Sequence, residues 1–426
     1  MQISSTEILN LIKKPSVQNN IWTILASGIE SLTVLIMIFL AVRLVGLAEA
    51  GVLSFAFAVS GLLRIIITLG VRVFQSTDVN QEYALNTYIG LRFCSSLIAF
   101  IGLLVFLAIS GFEAIRAFVI LFVFFIFLVD GIADVFMGDL QQKGKMRIAG
   151  RMRVCAFFSC LIVFIIVMFI TRSLFIPLIS SVVTLVLVYI VWIWCYRKHF
   201  IRVRVKISPA AIKTLIVSTL PLAISGLCTM FLYNSPKYFL GFIESDEAVA
   251  IFTMLAMPLA MLNLLLHSFF AGAEITKTAE VFAGGRPDGL SRRVNKQLLF
   301  SFAFVAVYNL IILSFGIPIL SWFYNTDLTA YRNAFIIMTL SCSAYYATLP
   351  LGAALTVMRK QKQQMYMLVS ITAVTFPFIW FSIDRYGLTG AALSFVLIYL
   401  PLIPACYILY RVVIKRLKTM EGERLE

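Results

Sequence analysis

The sequence predicts an all-α, polytopic membrane protein of twelve transmembrane helices, arranged as two pseudo-symmetric six-helix lobes around a central cavity. Three observations lead there. The chain of 426 residues is 61% hydrophobic and only 13% charged, too apolar for a soluble globular protein. Apolar runs of about 20 residues, the length a helix needs to cross a bilayer, recur from end to end. Lysine and arginine fall almost entirely into every second gap between those runs.

In chain order the predicted spans are Ile21–Leu44, Gly51–Leu69, Ile89–Ile109, Ala117–Met137, Val154–Ile170 and Leu174–Tyr196, then Leu215–Tyr233, Ala248–Phe270, Leu298–Phe315, Asn333–Leu355, Met365–Ile383 and Ala391–Val413. They are too long for strands and lack the alternation a barrel would need. Ser4, Ser5, Thr6 and Glu7 ahead of Ile8, Leu9, Leu11 and Ile12 predict a short capped helix lying on the membrane surface. No cleavable signal peptide is predicted, and the first span is long enough to act as its own insertion signal. The basic stretch Arg197–Lys213 divides the chain into an N-lobe, 1–206, and a C-lobe, 207–426. A second long connection, Glu274–Lys296, is mixed in charge and turns at Gly284-Gly285-Arg286-Pro287. The segments Glu49–Phe55 and Glu247–Thr253 open the second span of each half with similar residues, which favours parallel repeats about an axis along the membrane normal.

The cation-rich gaps include Lys13 and Lys14, Arg72 and Arg92, Lys143 to Arg153, Arg197 to Lys213, Lys277 to Lys296, Arg359 to Lys362, and Arg411 to Arg424. Cationic loops resist translocation, so this set is predicted to be cytoplasmic, together with both termini, which requires an even number of crossings. The opposite side and the spans keep only Arg43, Arg64, Arg116, Arg172, Lys237, Arg332 and Arg385. The net charge of +15 lines short loops and forms no continuous patch, so anionic membrane lipids are the expected partner and nucleic acid is not. The seven cysteines show no C-x-x-C spacing, and neither a disulfide framework nor a zinc site is indicated. No metal or other cofactor is expected.

Charges inside hydrocarbon are expensive and point to function. Glu30 lies about ten residues into the first span, near mid-membrane at about 15 Å. Arg64 lies in the inner part of the antiparallel second span and can meet it. Two readings stand: Arg64 presents a cation to an anionic substrate while Glu30 titrates to couple transport, or the two form a structural ion pair. Asp130 and Asp134, one turn apart on the fourth span, share a face; they are further ion-coupling candidates, or partners for Arg64 or the basic loop after Lys143. Two carboxylates are too few for a metal site. Asp139 is expected to be solvated. Lys237 follows Asn234-Ser235-Pro236, where the proline is expected to end the seventh helix and leave the lysine at a cavity mouth or among headgroups.

The run Tyr233-Asn234-Ser235-Pro236-Lys237-Tyr238-Phe239-Leu240-Gly241, followed by Ala250-Ile251-Phe252, resembles a pattern of the polysaccharide-transporter flippases, as does the connection Met137-Gly138 to Arg147. The resemblance lies within the multidrug/oligosaccharidyl-lipid/polysaccharide exporter superfamily, nearest to Wzx-type O-antigen flippases. It implies that an undecaprenyl-pyrophosphate-linked oligosaccharide is moved between leaflets of a bacterial inner membrane by alternating access, alongside other polysaccharide-assembly proteins. Arg64, Lys237, Asn234 and Glu30 become substrate-binding candidates, and Glu30, Asp130 and Asp134 candidates for coupling to a proton or sodium gradient. The rivals are a multidrug or cation antiporter of the same superfamily and a membrane enzyme of polysaccharide assembly. No catalytic constellation is visible, since the outer loops are short and carry scattered residues such as Glu113, Arg116, Asp327 and Arg332.

Overall fold

The computed structural model describes residues 15–77, 83–197, 209–270, 274–283 and 287–425. The surface helix expected near Ser4–Ile12, most of the basic linker and the turn at 284–286 lie outside that set. Among the described residues the structure is helical throughout, with no strand. Helices α1 (Pro15–Leu44), α2 (Leu47–Thr68), α3 (Val71–Thr77), α4 (Leu85–Ser110), α5 (Ala114–Gln142), α6 (Met146–Thr171) and α7 (Phe175–Cys195) come first. Then follow α8 (Pro209–Ile243), α9 (Asp246–Phe269), α10 (Ile275–Ala283), α11 (Pro287–Tyr324), α12 (Arg332–Tyr346), α13 (Leu349–Val357) and α14 (Gln361–Leu425).

Eleven stretches are long and apolar enough to span a membrane, with α12 and α13 contributing together to one of them, Thr329–Val357. The last stretch, Gln361–Thr419, is 59 residues. As a straight rod it would run about 90 Å, about three times the hydrocarbon thickness. It is instead two crossings, because the backbone leaves helical geometry at Gly387, with φ 52° and ψ −129°. A side chain there would be strained at that φ and its Cβ would come within 2.8 Å of the Glu244 carboxylate. Counting that reversal, the crossings number twelve, as the sequence predicts.

Two segments differ from expectation. The connection after the eighth span is mostly helical: α10 occupies it, and α11 already begins at Pro287, where proline's missing N–H is no loss in a first helical turn. The seventh helix does not end at Pro236 but continues to Ile243. Proline removes the N–H that would bond the Leu232 carbonyl, and the Ser235 hydroxyl donates to that carbonyl instead, at 3.0 Å.

The chain divides into two compact units, Met1–Leu227 and Cys228–Glu426. In unit 1, α1 packs on α6, α6 on α7, and α2 on α5. Lipid tails are as apolar as leucine, so helices in a bilayer associate through close packing rather than hydrophobic burial. Gly150 of α6 illustrates this: a Cβ there would sit 2.8 Å from the Trp22 carbonyl oxygen of α1, so only glycine permits the approach. The first half of α8 belongs to this unit, where Ile212 and Leu215 join Val71, Tyr88, Leu91 and Val135 in one cluster. In unit 2, α12 packs on α14, and Leu290, Val294, Leu351, Leu355, Tyr410 and Val413 tie α11, α13 and α14 together.

Candidate functional site

Close packing of α1, α2, α5 and α6 brings into unit 1 a set of charges that hydrocarbon could not hold singly. Asp130 of α5 is fully buried. Its Oδ2 accepts from Arg64 at 2.8 Å and from Arg153 at 2.9 Å, while its Oδ1 accepts from the Tyr189 hydroxyl at 2.8 Å and from Arg153 Nε at 3.2 Å. Arg64 also donates to Glu30, and its guanidinium lies over the Phe127 ring, 5.2 Å from the centroid. Arg153 reaches the second Glu30 oxygen at 3.7 Å.

One turn further along α5, Asp134 accepts from Arg72, from Arg92 at 3.4 Å and from Arg153 at 3.5 Å. Arg92 in turn donates to the Ile67 carbonyl at 2.6 Å, satisfying an acceptor at the end of α2, where the Ser95 hydroxyl also donates at 2.7 Å. The cluster therefore sets four guanidinium groups against three carboxylates, an excess of one positive charge. Exposure is graded: the side chains of Asp130 and Arg92 are 0% and 3% exposed, those of Arg64 and Arg72 are 22% and 29%. The more accessible side of the cluster is thus Arg72 and Arg64 together with Glu30, which at 18% is the most exposed of the three acids.

Glu30, Arg64, Asp130 and Asp134, singled out in the sequence, are accordingly brought together. Asp139 is not solvated: it is buried and accepts from Lys143 at 2.7 Å, one turn along the helix. Arg153 comes from the basic stretch after Lys143 that the sequence offered as a partner for Asp130 and Asp134, whereas Arg72, Arg92 and Tyr189 were not anticipated as members of the cluster. Arg92 lies within the predicted third span, so its position inside an apolar run was the signal that could have found it.

Lys237 and Asn234 belong to unit 2. They sit within α8 rather than beyond its end, as the continuation through Pro236 requires. Asn234 is buried and donates to the Met230 carbonyl at 3.1 Å. Lys237 is half-buried and makes no ion pair among the described residues. Aromatic rings surround this part of α8: Phe231 stacks near Phe376, and Phe239 meets Phe376 and Trp380 edge-on at 5.5 and 5.4 Å.

Twelve apolar crossings and a charged cluster buried between helices define a multi-pass membrane protein. Residues 16–275, more than half of the chain, match the family described as polysaccharide biosynthesis protein. The chain belongs to that family. Solved structures share the fold. A MOP superfamily transporter from Pyrococcus furiosus Vc1, with a binding pocket whose reverse polarity suggests a different function, superposes with TM-score 0.64 at 14% identity, over 95% of this chain and 96% of that one. MATE in its bent conformation gives 0.62 at 15% identity, over 96% and 97%. A multidrug resistance MATE family transporter of the MOP superfamily in its inward-facing conformation gives 0.62 at 15%, over 98% and 97%. No curated protein matches the chain in sequence.

Proposed function

We propose that the protein is a flippase for an undecaprenyl-pyrophosphate-linked oligosaccharide, an O-antigen-type repeat unit, moving it from the cytoplasmic to the periplasmic leaflet of a bacterial inner membrane by alternating access. The observation that carries this reading is the positive excess of the unit 1 cluster, whose two most exposed members are Arg72 and Arg64. A sugar–pyrophosphate headgroup cannot enter hydrocarbon unaided, because its polar groups would lose their hydrogen bonds. Guanidinium forks match phosphate oxygens in charge and geometry. Lys237 adds a cation without a carboxylate partner among the described residues.

A cationic drug would meet a cluster whose three acids, Glu30, Asp130 and Asp134, are outnumbered by its four arginines, whereas an anionic headgroup would meet the surplus charge. The Pyrococcus furiosus transporter offers a precedent within the superfamily for pocket polarity and function differing together. Both termini, with the basic loops, are assigned to the cytoplasm. Coupling to a proton or sodium gradient is assigned to Glu30, the most exposed of the three acids; Asp130 and Asp134 are the more enclosed candidates. Membrane lipids and other polysaccharide-assembly proteins are the expected partners, and no catalytic residue is assigned.

The test is deletion of the gene followed by identification of what accumulates. A lipid-linked oligosaccharide trapped on the cytoplasmic leaflet supports the reading; intact surface polysaccharide with accumulation of cationic drugs supports an antiporter. Lys237→Gln, which breaks no ion pair among the described residues, is expected to lower export while the protein still inserts.

A further inference from the structure

We infer that the first three turns of α11 carry a binding site for the phosphate headgroup of an anionic phospholipid. A groove of about 560 Å³ opens there, lined by Asp288, Ser291, Arg292, Asn295, Lys296 and Leu299. The spacing of three and four residues puts these side chains on one face of the helix. Asp288 is already neutralised by Lys418 of α14, whose Nζ lies 2.5 Å from its Oδ1. Arg292 and Lys296 make no salt bridge within 4.0 Å among the described residues, and with Lys418 against Asp288 the groove keeps a net charge of +2, with the Asn295 amide beside it as a further donor.

The same face continues as an apolar strip. Leu299, Val307 and Leu310 are 73%, 60% and 72% exposed, and Ala303 between them is exposed as well. From Leu299 to Leu310 the strip runs about 16 Å along the helix. A cationic groove directly above a bare apolar strip complements a molecule with an anionic head and hydrocarbon tails. The strip lies in the predicted span Leu298–Phe315, where lipid tails cover it, so a phospholipid can seat its tails there and its headgroup in the groove, whereas free phosphate would take the groove alone. Basic pockets at the membrane surface recognise anionic headgroups with about 1 kcal/mol for each lysine or arginine.

The full-length protein is reconstituted in phosphatidylcholine with and without phosphatidylglycerol, and retained lipid is counted by native mass spectrometry. The wild type is expected to hold phosphatidylglycerol in preference to phosphatidylcholine. Arg292→Gln with Lys296→Gln is expected to weaken that retention roughly thirtyfold, with phosphatidylcholine unaffected. Leu299→Asn, which disturbs the strip and leaves both cations, is expected to weaken it too. Equal retention of phosphatidylglycerol in the wild type and the neutralised variant overturns the site. Displacement of phosphatidylglycerol by inorganic phosphate, with Leu299→Asn behaving as wild type, overturns the lipid in favour of a free anion.

Discussion

Unit 1 and unit 2 each centre on their second crossing. In α2 every residue from Ala50 to Gly61 is buried, and in α9 every residue from Val249 to Leu255. Around these similar spines the chemistry diverges. Unit 1 surrounds α2 with arginines and carboxylates. Unit 2 surrounds α9 with rings and neutral hydrogen bonds: Phe252 stacks on Phe395, Phe395 on Tyr399, and Tyr399 on Tyr345, the last pair 4.6 Å apart and nearly parallel. Tyr308 donates to the Pro258 carbonyl at 2.6 Å and Asn309 to Ser343 at 2.9 Å. One fold therefore tolerates two kinds of interior. A charged interior holds only while every partner is present; a neutral one degrades a contact at a time.

That contrast can be broken most directly at Asp130. Asp130→Ala leaves Arg64 and Arg153 buried without their shared acceptor and is expected to cost about 3–5 kcal/mol, seen as loss of folded protein in a detergent thermal-unfolding assay. A midpoint within a few degrees of wild type would mean that unit 1 does not depend on the pairing. The matching change in unit 2, Tyr345→Leu, removes a ring stack and is expected to cost about 1 kcal/mol in the same assay. Ser235→Ala frees the Leu232 carbonyl and is expected to cost about 1 kcal/mol or less, with hydrogen exchange rising locally in α8.

The smallest effect falls on an ion pair outside the crossings. Glu274 accepts from Gln297 at 3.0 Å and Arg293 at 2.7 Å, and those contacts hold its carboxyl below the ordinary value of 4.5. A depressed carboxylate contributes its stability fully above pH 4.5 and loses it as pH falls through the lowered value. Glu274→Gln is therefore expected to lose a little stability at neutral pH and to match the wild type in acid. An unchanged difference across that range would show that the contact contributes through shape, not charge.

The crossings were legible in the sequence because bilayer thickness imposes a length on every apolar run, whatever the helices pack against. Glu30, Arg64 and Asp130 were legible for a related reason, since depth follows from counting along a span. Arg72 and Arg92 were not, because a rule that assigns basic residues to loops takes them before packing is considered, whereas Arg153 was reached only as one of the basic residues after Lys143. Pro236 misled through a sound local rule, proline as helix breaker, which the neighbouring Ser235 hydroxyl overrides. The break at Gly387 was expected as an outer connection between Ile383 and Ala391, and it is short enough that the helices on both sides run almost into one another.

The distribution of the unit 1 cluster along the chain bears on how the protein enters the bilayer. Glu30 emerges from the ribosome with the first helix, whereas Arg153 follows 123 residues later. At ordinary synthesis rates that delay is on the order of ten seconds. Glu30 is a lone charge until Arg64 follows 34 residues on, and Asp130 and Asp134 still lack Arg153 when α5 emerges; an unpaired charge at a helix centre is worth about 2.5–3.5 kcal/mol against insertion. Release into lipid one helix at a time is therefore disfavoured, and the early helices of this unit are expected to wait beside the translocon until α6 arrives and they can partition as a group.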